Sequence, residues 1–418
     1  RHIGPLDLSG WAHVPIVEAL GLRLMFEPYR KVFAYPGAWQ FSATGVIARL
    51  PISMMTLSIV VMVSELSGSY TRAGQVSAAY VVGNAGFAII HGRLIDHFGQ
   101  RLVLLIDTVA FAMTTILLMV AINSHWALGP TLLFAVLSGM SIPQIGAMIR
   151  SRWSNLVTNE SDRHTAFSVE AVVDEMVFVI GPVLVAVTAT AMNPASGLVI
   201  SVIAGTIGTL LLAAQRRTEP PKGSDHDAGE KQQPMHWGSL APIAIGAIAY
   251  GALFGALEVG AVSFADHAGH KAGSGILLAL FSFGSLLAGV VTGAIVAQSS
   301  PFTRSRRGMW TLACGTLALP FVTNLWVMGL VLVFIGLALA PTLIALFSLV
   351  EATTPQRRLN EALGVIQTGV SGGVAPGAWL AGLLADDFGG NVPFMVCTVS
   401  AFLAASASLF LRDKERSR

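Results

Sequence analysis

The sequence predicts an all-α membrane protein of twelve transmembrane helices in two six-helix bundles, with both termini cytoplasmic. Three observations carry this. Only 11% of the 418 residues are charged, 54% are hydrophobic, and the mean hydropathy is +0.68. A soluble domain carries about a quarter charged residues, so a water-facing surface cannot be built from this chain. Apolar stretches of the length needed to cross ~30 Å of hydrocarbon, about 20 residues, recur along the whole sequence. The basic residues fall almost entirely on one side of the membrane that those stretches define.

The spans are read at 41–64, 73–91, 102–122, 127–149, 165–191, 197–214, 239–264, 272–297, 308–323, 325–349, 361–385 and 392–411. Little more than Thr323 and Asn324 separates the ninth from the tenth. With the N-terminus inside, the outer loops contain only Arg72 and Lys271. Arg49 lies within span 1, and the other 22 of the 25 Lys and Arg lie inside. That asymmetry is a positive-inside signal and points to a multi-pass protein of a bacterial inner (plasma) membrane. Trp39, Trp126, Trp326 and Tyr70 sit near span ends, as interfacial anchors do.

The first 40 residues form an N-terminal cytoplasmic or interfacial segment. Glu18, Glu27 and the prolines leave no apolar core of a cleavable signal. Glu18–Phe33 reads either as a short interfacial helix, with Leu20, Leu24 and Phe33 roughly on one side, or as a poorly ordered leader. Residues 215–238 bring Arg216, Arg217, Glu219, Lys222, Asp225, Asp227, Glu230 and Lys231 together with Pro220, Pro221 and Pro234. Such a stretch cannot bury enough apolar surface to fold alone and reads as a cytoplasmic linker. It divides an N-terminal bundle, 41–214, from a C-terminal bundle, 239–411, followed by a cytoplasmic tail, 412–418. The halves echo each other: Gly92 with Gly293, Pro143 with Pro341, Glu170-Ala171 with Glu361-Ala362, and Gly181-Pro182 with Pro376-Gly377. Parallel repeats of this kind build transporters whose substrate site lies between the halves.

Several function classes are excluded. The bases form no dense stripe, which disfavours nucleic-acid binding. Cys314 and Cys397 lie in apolar runs and support no disulfide framework. No phosphate-cradling loop occurs, nor a His-x-x-x-His or Cys-x-x-Cys pair. No cofactor, no metal and no enzymatic constellation is therefore expected.

Between spans 2 and 3 runs Gly92-Arg93-Leu94-Ile95-Asp96-His97-Phe98-Gly99-Gln100-Arg101. It resembles the Gly-x-Leu-x-Asp-Arg-x-Gly-Arg-Arg/Lys loop of the major facilitator superfamily at Gly92, Leu94, Asp96, Gly99 and Arg101. His97 and Gln100 replace usual bases. The resemblance covers about residues 41–411 and implies a rocker-switch transporter. It also implies a conformational latch made of Gly92, Asp96, Gly99 and Arg101, with Arg150 at the cytoplasmic end of span 4 as partner of Asp96. Gly181-Pro182 in span 5 resembles the Gly-Pro signature of the family's antiporters, with Val185 and Ala186 in place of the glycines that usually follow. The arginine that drug–proton antiporters place three residues before a span-4 glycine is replaced by Val136, ahead of Gly139.

Charges inside the spans are the most informative residues: Arg49, Asp107, Glu170, Asp174, Glu175 and Glu258. A charge near the bilayer centre costs roughly 2.5–3.5 kcal/mol on insertion scales. The three acids of span 5 must therefore face a cavity, pair with a base or carry protons. On a helix, Glu170 and Asp174 are i,i+4 neighbours about 40° apart, and Glu175 sits about 100° further round. Two carboxylates so close disfavour double ionisation. Arg49 matches their depth from the cytoplasmic end and is the natural counter-charge. Arg49, Glu170, Asp174 and Glu175 are thus expected to form a proton-coupling group; the alternative is a permanent salt bridge that fixes packing. Glu258, on the Gly251, Gly255, Gly260 stripe of span 7, is a candidate cavity acid that would attract cations, or alternatively a snorkelling, solvated acid. Asn84, Gln144 and Gln367 are further cavity candidates. Asp107 receives no role.

The expectation is a monomeric secondary transporter, coupled to protons and exporting small amphipathic or cationic compounds by alternating access. A sugar or amino-acid transporter of the same fold, and a non-transporting membrane sensor, are the alternatives.

Overall fold

The computed structural model describes residues 29–221, 237–294, 299–353 and 359–410, and the long elements among them are α-helices. The expectations for residues 1–28, most of the linker and the 412–418 tail lie outside the described residues, as do the side chains of Asp96 and Gln367. The helices are α1 (Ala38–Ser67), α2 (Tyr70–Phe98), α3 (Gln100–Asn123), α4 (Leu128–Ser141), α5 (Ile145–Leu156), α6 (Glu160–Ala191) and α7 (Ser196–Ala214) before the linker. After it come α8 (Trp237–His267), α9 (Gly273–Ala294), α10 (Pro301–Thr316), α11 (Leu325–Thr353), α12 (Leu359–Phe388) and α13 (Phe394–Ala407). Among the described residues, seven stretches, α4 and α5 counted as one, are long and apolar enough to cross a membrane, and Gly273–Gly289 and Phe394–Phe410 are shorter apolar helices.

Three boundaries differ from the sequence expectation, each for a local reason. Span 4 is broken: α4 ends at Ser141 and α5 resumes at Ile145. Pro143 lacks an N–H and drives Ile142 before it into an extended conformation (φ −70°, ψ 124°). Span 9 starts earlier, because Ser300 accepts a hydrogen bond from the Thr303 N–H and Pro301 occupies the first turn. The helix therefore takes in Arg304, Arg306 and Arg307 and ends at Thr316. The Gly92–Arg101 motif is mostly helix rather than loop. Helix α2 continues through Phe98, and only Gly99, at φ 88°, turns the chain into α3.

Before the linker, α1 packs against α2, α6 and α7, while α4 packs against α2 and α3. After it, α8 packs against α12 and α13, and α11 against α9 and α10. Across the two sets the main contacts are α2 with α12 and α6 with α9, supplemented by α1 with α8. The end of α7 and the start of α8 define a linker side of the molecule; the opposite end is called the far side below. Small residues set these crossings, as expected where lipid offers no hydrophobic drive. The Gly251 and Gly255 stripe lies on the Val370 and Val374 carbonyls of α12, where a Cβ would stand 1.8 and 2.0 Å from oxygen. At Gly275 on α9 a Cβ would stand 2.3 Å from the Pro182 carbonyl oxygen of α6.

Gly275→Val should therefore lower the melting temperature of the purified protein, since overpacking costs about 1–3 kcal/mol. Gly92→Ala, where a Cβ meets nothing within 4 Å, should leave it equal or slightly higher. Equal melting temperatures for wild type and Gly275→Val would contradict the packing argument.

Candidate functional site

The charged residues of α1 and α6 meet near the linker side. Gly181 lets α6 approach α1 closely, since a Cβ there would lie 2.1 Å from Ser53 Oγ. Arg49 Nη1 then donates to Glu170 Oε2 at 2.6 Å, and its Nε lies 3.3 Å from Asp174 Oδ1. Arg49 and Glu170 are 3% and 0% exposed, so the pair is cut off from water. Glu170 Oε1 also accepts from Ser42 Oγ and from Trp153 Nε1, both at 2.8 Å. Asp174, half-buried, accepts at Oδ2 from Arg150 at 2.6 Å. Two guanidiniums thus flank one carboxylate, and Gly146 makes room: a Cβ there would stand 3.1 Å from Arg150 Nη1. Arg49 Nη2 is buried and has no hydrogen-bond partner among the described residues. Glu175 is half-buried and lies within electrostatic reach of both Asp174 and Tyr250 on α8.

Arg150 therefore serves the α6 acids in this conformation; the Asp96 side chain that the family resemblance pairs with it is outside the described side chains. Elsewhere in the motif, Gln100 and Arg101 are tied down at the linker side. Gln100 donates to the Met148 carbonyl at 3.1 Å and accepts from Arg152 Nε at 2.9 Å. The Arg101 N–H donates to Glu219 Oε1 at 2.9 Å, placing a carboxylate on the N-terminus of α3. Arg152, buried, also donates to the Leu212 and Gln215 carbonyls at the end of α7. Sequence reading missed Arg152, Ser42 and Trp153, because none breaks an apolar pattern. Trp153 is further held edge-on by Phe41 at 4.7 Å and Phe33 at 6.3 Å. Lys31 and Tyr35 both donate to Asp162 at the start of α6, at 2.9 and 3.0 Å. Residues 29–37 are thereby tied to the start of α6.

Of the cavity candidates, Gln144 Nε2 donates to Asn84 Oδ1 at 2.9 Å, across the break in span 4. The Glu258 carboxylate on α8 accepts from Thr56 Oγ1 on α1 at 2.9 Å. His91 and Asp107, neither given a role above, form a buried pair at 3.1 Å between α2 and α3. The Gly181-Pro182 step sits where α6 crosses both α1 and α9.

At the far side, polar contacts join the two sets of helices. Asp386, near the end of α12, accepts from the Tyr70 and Thr71 N–H groups and from Ser69 Oγ. A carboxylate from one half thus caps the N-terminus of a helix in the other. Burial pushes the Asp386 carboxyl up, but the hydrogen bonds from Thr71, Ser69 and Tyr70 together outweigh it and leave it below the usual value of 3.8. Tyr70 Oη donates to Asp266 at 2.9 Å, and Lys271 Nζ reaches Glu65 Oε2 at 2.7 Å. The hydrogen bond to Glu65, with the charges of Glu65 and Asp266, holds Lys271 above its usual 10.5. Glu65, Tyr70, Asp266 and Lys271 line a pocket of about 360 Å³ on this face.

The profile of the Major Facilitator Superfamily matches residues 41–319 and 306–418. The chain belongs to that superfamily. No curated protein matches it. Among solved structures, the major facilitator fold of this chain is similar to a nucleoside transporter, NupG, at 14% identity and a TM-score of 0.69, over 89% of this chain and 98% of that one. It is also similar to the human organic anion transporter MFSD10 (TETRAN), at 14% identity and a TM-score of 0.62, over 90% of this chain and 100% of that one. Membership makes this a multi-pass membrane protein and a transporter of small molecules.

In this facilitator the far-side contacts have a definite pH window. The Asp386 contribution is fully present above 3.8 and is lost as pH falls through its lowered value. The Lys271 contribution is present below 10.5 and is lost as pH rises through its raised value. Alkylation of a cysteine introduced at Val262, which lines the pocket and is 8% exposed, should therefore be flat through neutral pH. Asp386→Ala should speed it about two- to thirty-fold, from the ~0.5–2 kcal/mol that a helix cap is worth. An unchanged rate would show that the cap does not hold this face closed.

Proposed function

We propose that the protein is a proton-coupled exporter of small amphipathic or cationic compounds. In this reading twelve spans form two bundles, 41–214 and 239–411, with both termini cytoplasmic. They work as a monomer in a bacterial inner membrane, and the halves rock about a substrate site between them. Arg49, Glu170, Asp174 and Glu175 form the coupling group. The single observation that carries this is the sharing of Arg49 between Glu170, at 2.6 Å, and Asp174, at 3.3 Å.

The chemistry follows from electrostatics. Two acids i,i+4 on α6 hold Arg49 in place while ionised. A proton on Asp174 weakens its hold on Arg49 and Arg150 and leaves Glu170 as the sole carboxylate on Arg49. Arg49 Nη2 is already without a partner among the described residues, so that guanidinium is incompletely satisfied here and gains from a rearrangement that supplies one. Asp174 and Arg150 are 32% and 39% exposed, so a proton can reach them from the linker side. The far-side contacts of Asp386, Lys271 and Tyr70 favour reading this conformation as closed on that face and open toward the linker. The excess of acids within the spans suits protons or organic cations. Gly92, Asp96, Gly99, Arg101 and Arg150 form the latch in this reading, and Asn84, Gln144, Gln367 and Glu258 border the cavity.

A metabolite substrate is the second reading, and the resemblance to a nucleoside transporter favours it. The fold alone does not separate the two, because at 14% identity the pocket side chains are independent. Proteoliposomes with an imposed pH gradient and a panel of organic cations, nucleosides, sugars and amino acids distinguish them. Gradient-driven flux of cations is expected, and flux of a nucleoside instead would favour the second reading. Binding without counterflow would point to a sensor. Asp174→Asn should abolish gradient-driven flux while expression is retained; full coupling in that variant would make the network a structural salt bridge.

A further inference from the structure

Glu258 stands apart from every other acid in the spans. It belongs to α8, yet its only hydrogen bond among the described residues comes from Thr56 on α1, in the other half. Its second oxygen, Oε2, is shielded from solvent and has no partner. No ion pair among the described residues involves it. Its flanking residues are apolar and buried: Ala256, Leu257, Val259 and Ala261 are at most 1% exposed. The buried Arg49 lies two turns back along α1, about 10 Å, and already carries two carboxylates.

The groups that face Glu258 from the elements packed on α8 can be named. From α1 comes Thr56. From α2 comes Tyr80, whose hydroxyl is buried, has no partner among the described residues and lies within electrostatic reach of Glu258. On α13 the Cys397 thiol is turned to the Leu253 carbonyl, more than a turn of α8 away from Glu258. The glycine stripe of α8 meets α12 through backbone carbonyls of Val370 and Val374. No cation stands among these groups.

An ionised carboxylate with one hydroxyl donor and one orphan oxygen in such surroundings is far costlier than the neutral acid. We propose that Glu258 is a proton-binding site separate from the α6 network, loaded while α1 and α8 are in contact. The loaded acid stays between the halves as a neutral partner of Thr56, and its own O–H faces the region where the Tyr80 hydroxyl has no partner. Glu258 is half-buried with Oε2 shielded, so the unloaded carboxylate needs more water than this site admits, and parting of α1 and α8 supplies it. Proton release is thereby tied to parting of the halves. This inference rests on the reading of the protein as a proton-coupled transporter, but the site itself requires only the local chemistry.

The direct test is infrared difference spectroscopy of the full-length purified protein across neutral pH, reading the C=O stretch of protonated carboxylic acids. Wild type should show a band that Glu258→Gln removes and Asp174→Asn leaves. Thr56→Val should move the same band to higher frequency, because the acid loses a hydrogen bond. That variant also decides the matter if Glu258→Gln does not fold. A spectrum unchanged by both substitutions would mean that Glu258 does not change its protonation and would overturn the proposal. So would a wild-type band that sodium ions remove at constant pH, since the site would then be a cation site. If the band behaves as expected while transport ignores an imposed pH gradient, the proton site stands and the coupling reading fails.

Discussion

The arrangement depends on one constraint: α6 carries Glu170 where water does not reach and Asp174 where it reaches only in part, and one guanidinium, Arg49, serves both. A buried ion pair is not a means of stabilising a fold, because desolvation consumes most of its Coulombic gain, and apolar residues of similar volume often do as well. What it does provide is a geometry that tolerates few alternatives. Removing either partner leaves an uncompensated buried charge. The residues around Arg49 follow from this requirement: Gly181 brings α6 within reach, Gly146 leaves space for a second guanidinium, and Ser42 and Trp153 satisfy the remaining lone pairs of Glu170.

Helix α1 connects that cluster to the rest of the molecule. Arg49 meets the α6 acids, Thr56 meets Glu258 about 10 Å further along, and Glu65 meets Lys271 about 13 Å beyond that. A rigid helix touching three charged groups at three depths cannot shift against α8 without changing two of them together. The far-side contacts are built differently from the interior ones. They rely on a carboxylate at a helix N-terminus and on exposed or half-exposed ion pairs, individually worth little. Such contacts suit a seam that has to open.

Much of this was legible in the sequence, because hydrocarbon leaves few options. The apolar lengths gave the helices, and the scarcity of charge made Arg49, Glu170 and Asp174 conspicuous; their depths along two helices pointed to the geometry that brings them within 3.3 Å. Helix ends were less legible. Ser300 and Pro301 start α10 before its apolar stretch begins, and Pro143 breaks a span that hydropathy reads as continuous. The partners of the site were least legible. Trp153, Ser42 and Thr56 are unremarkable in sequence, and the commitment of Arg150 to Asp174 depends on how α5 is set by the break at Pro143. Asp386 gave no signal either, since capping a helix more than 300 residues away leaves no pattern in the chain.

The central claim is that a proton on the α6 network biases the relative position of the halves. It is tested most directly by measuring a far-side distance between them as a function of pH, with no substrate added. Spin labels at Met192 and Phe321, both exposed and on opposite halves, in a background without Cys314 and Cys397, provide that distance. The account predicts a distribution that shifts as pH is lowered in the wild type and shifts by less in Asp174→Asn. A wild-type distribution that does not move with pH would contradict it.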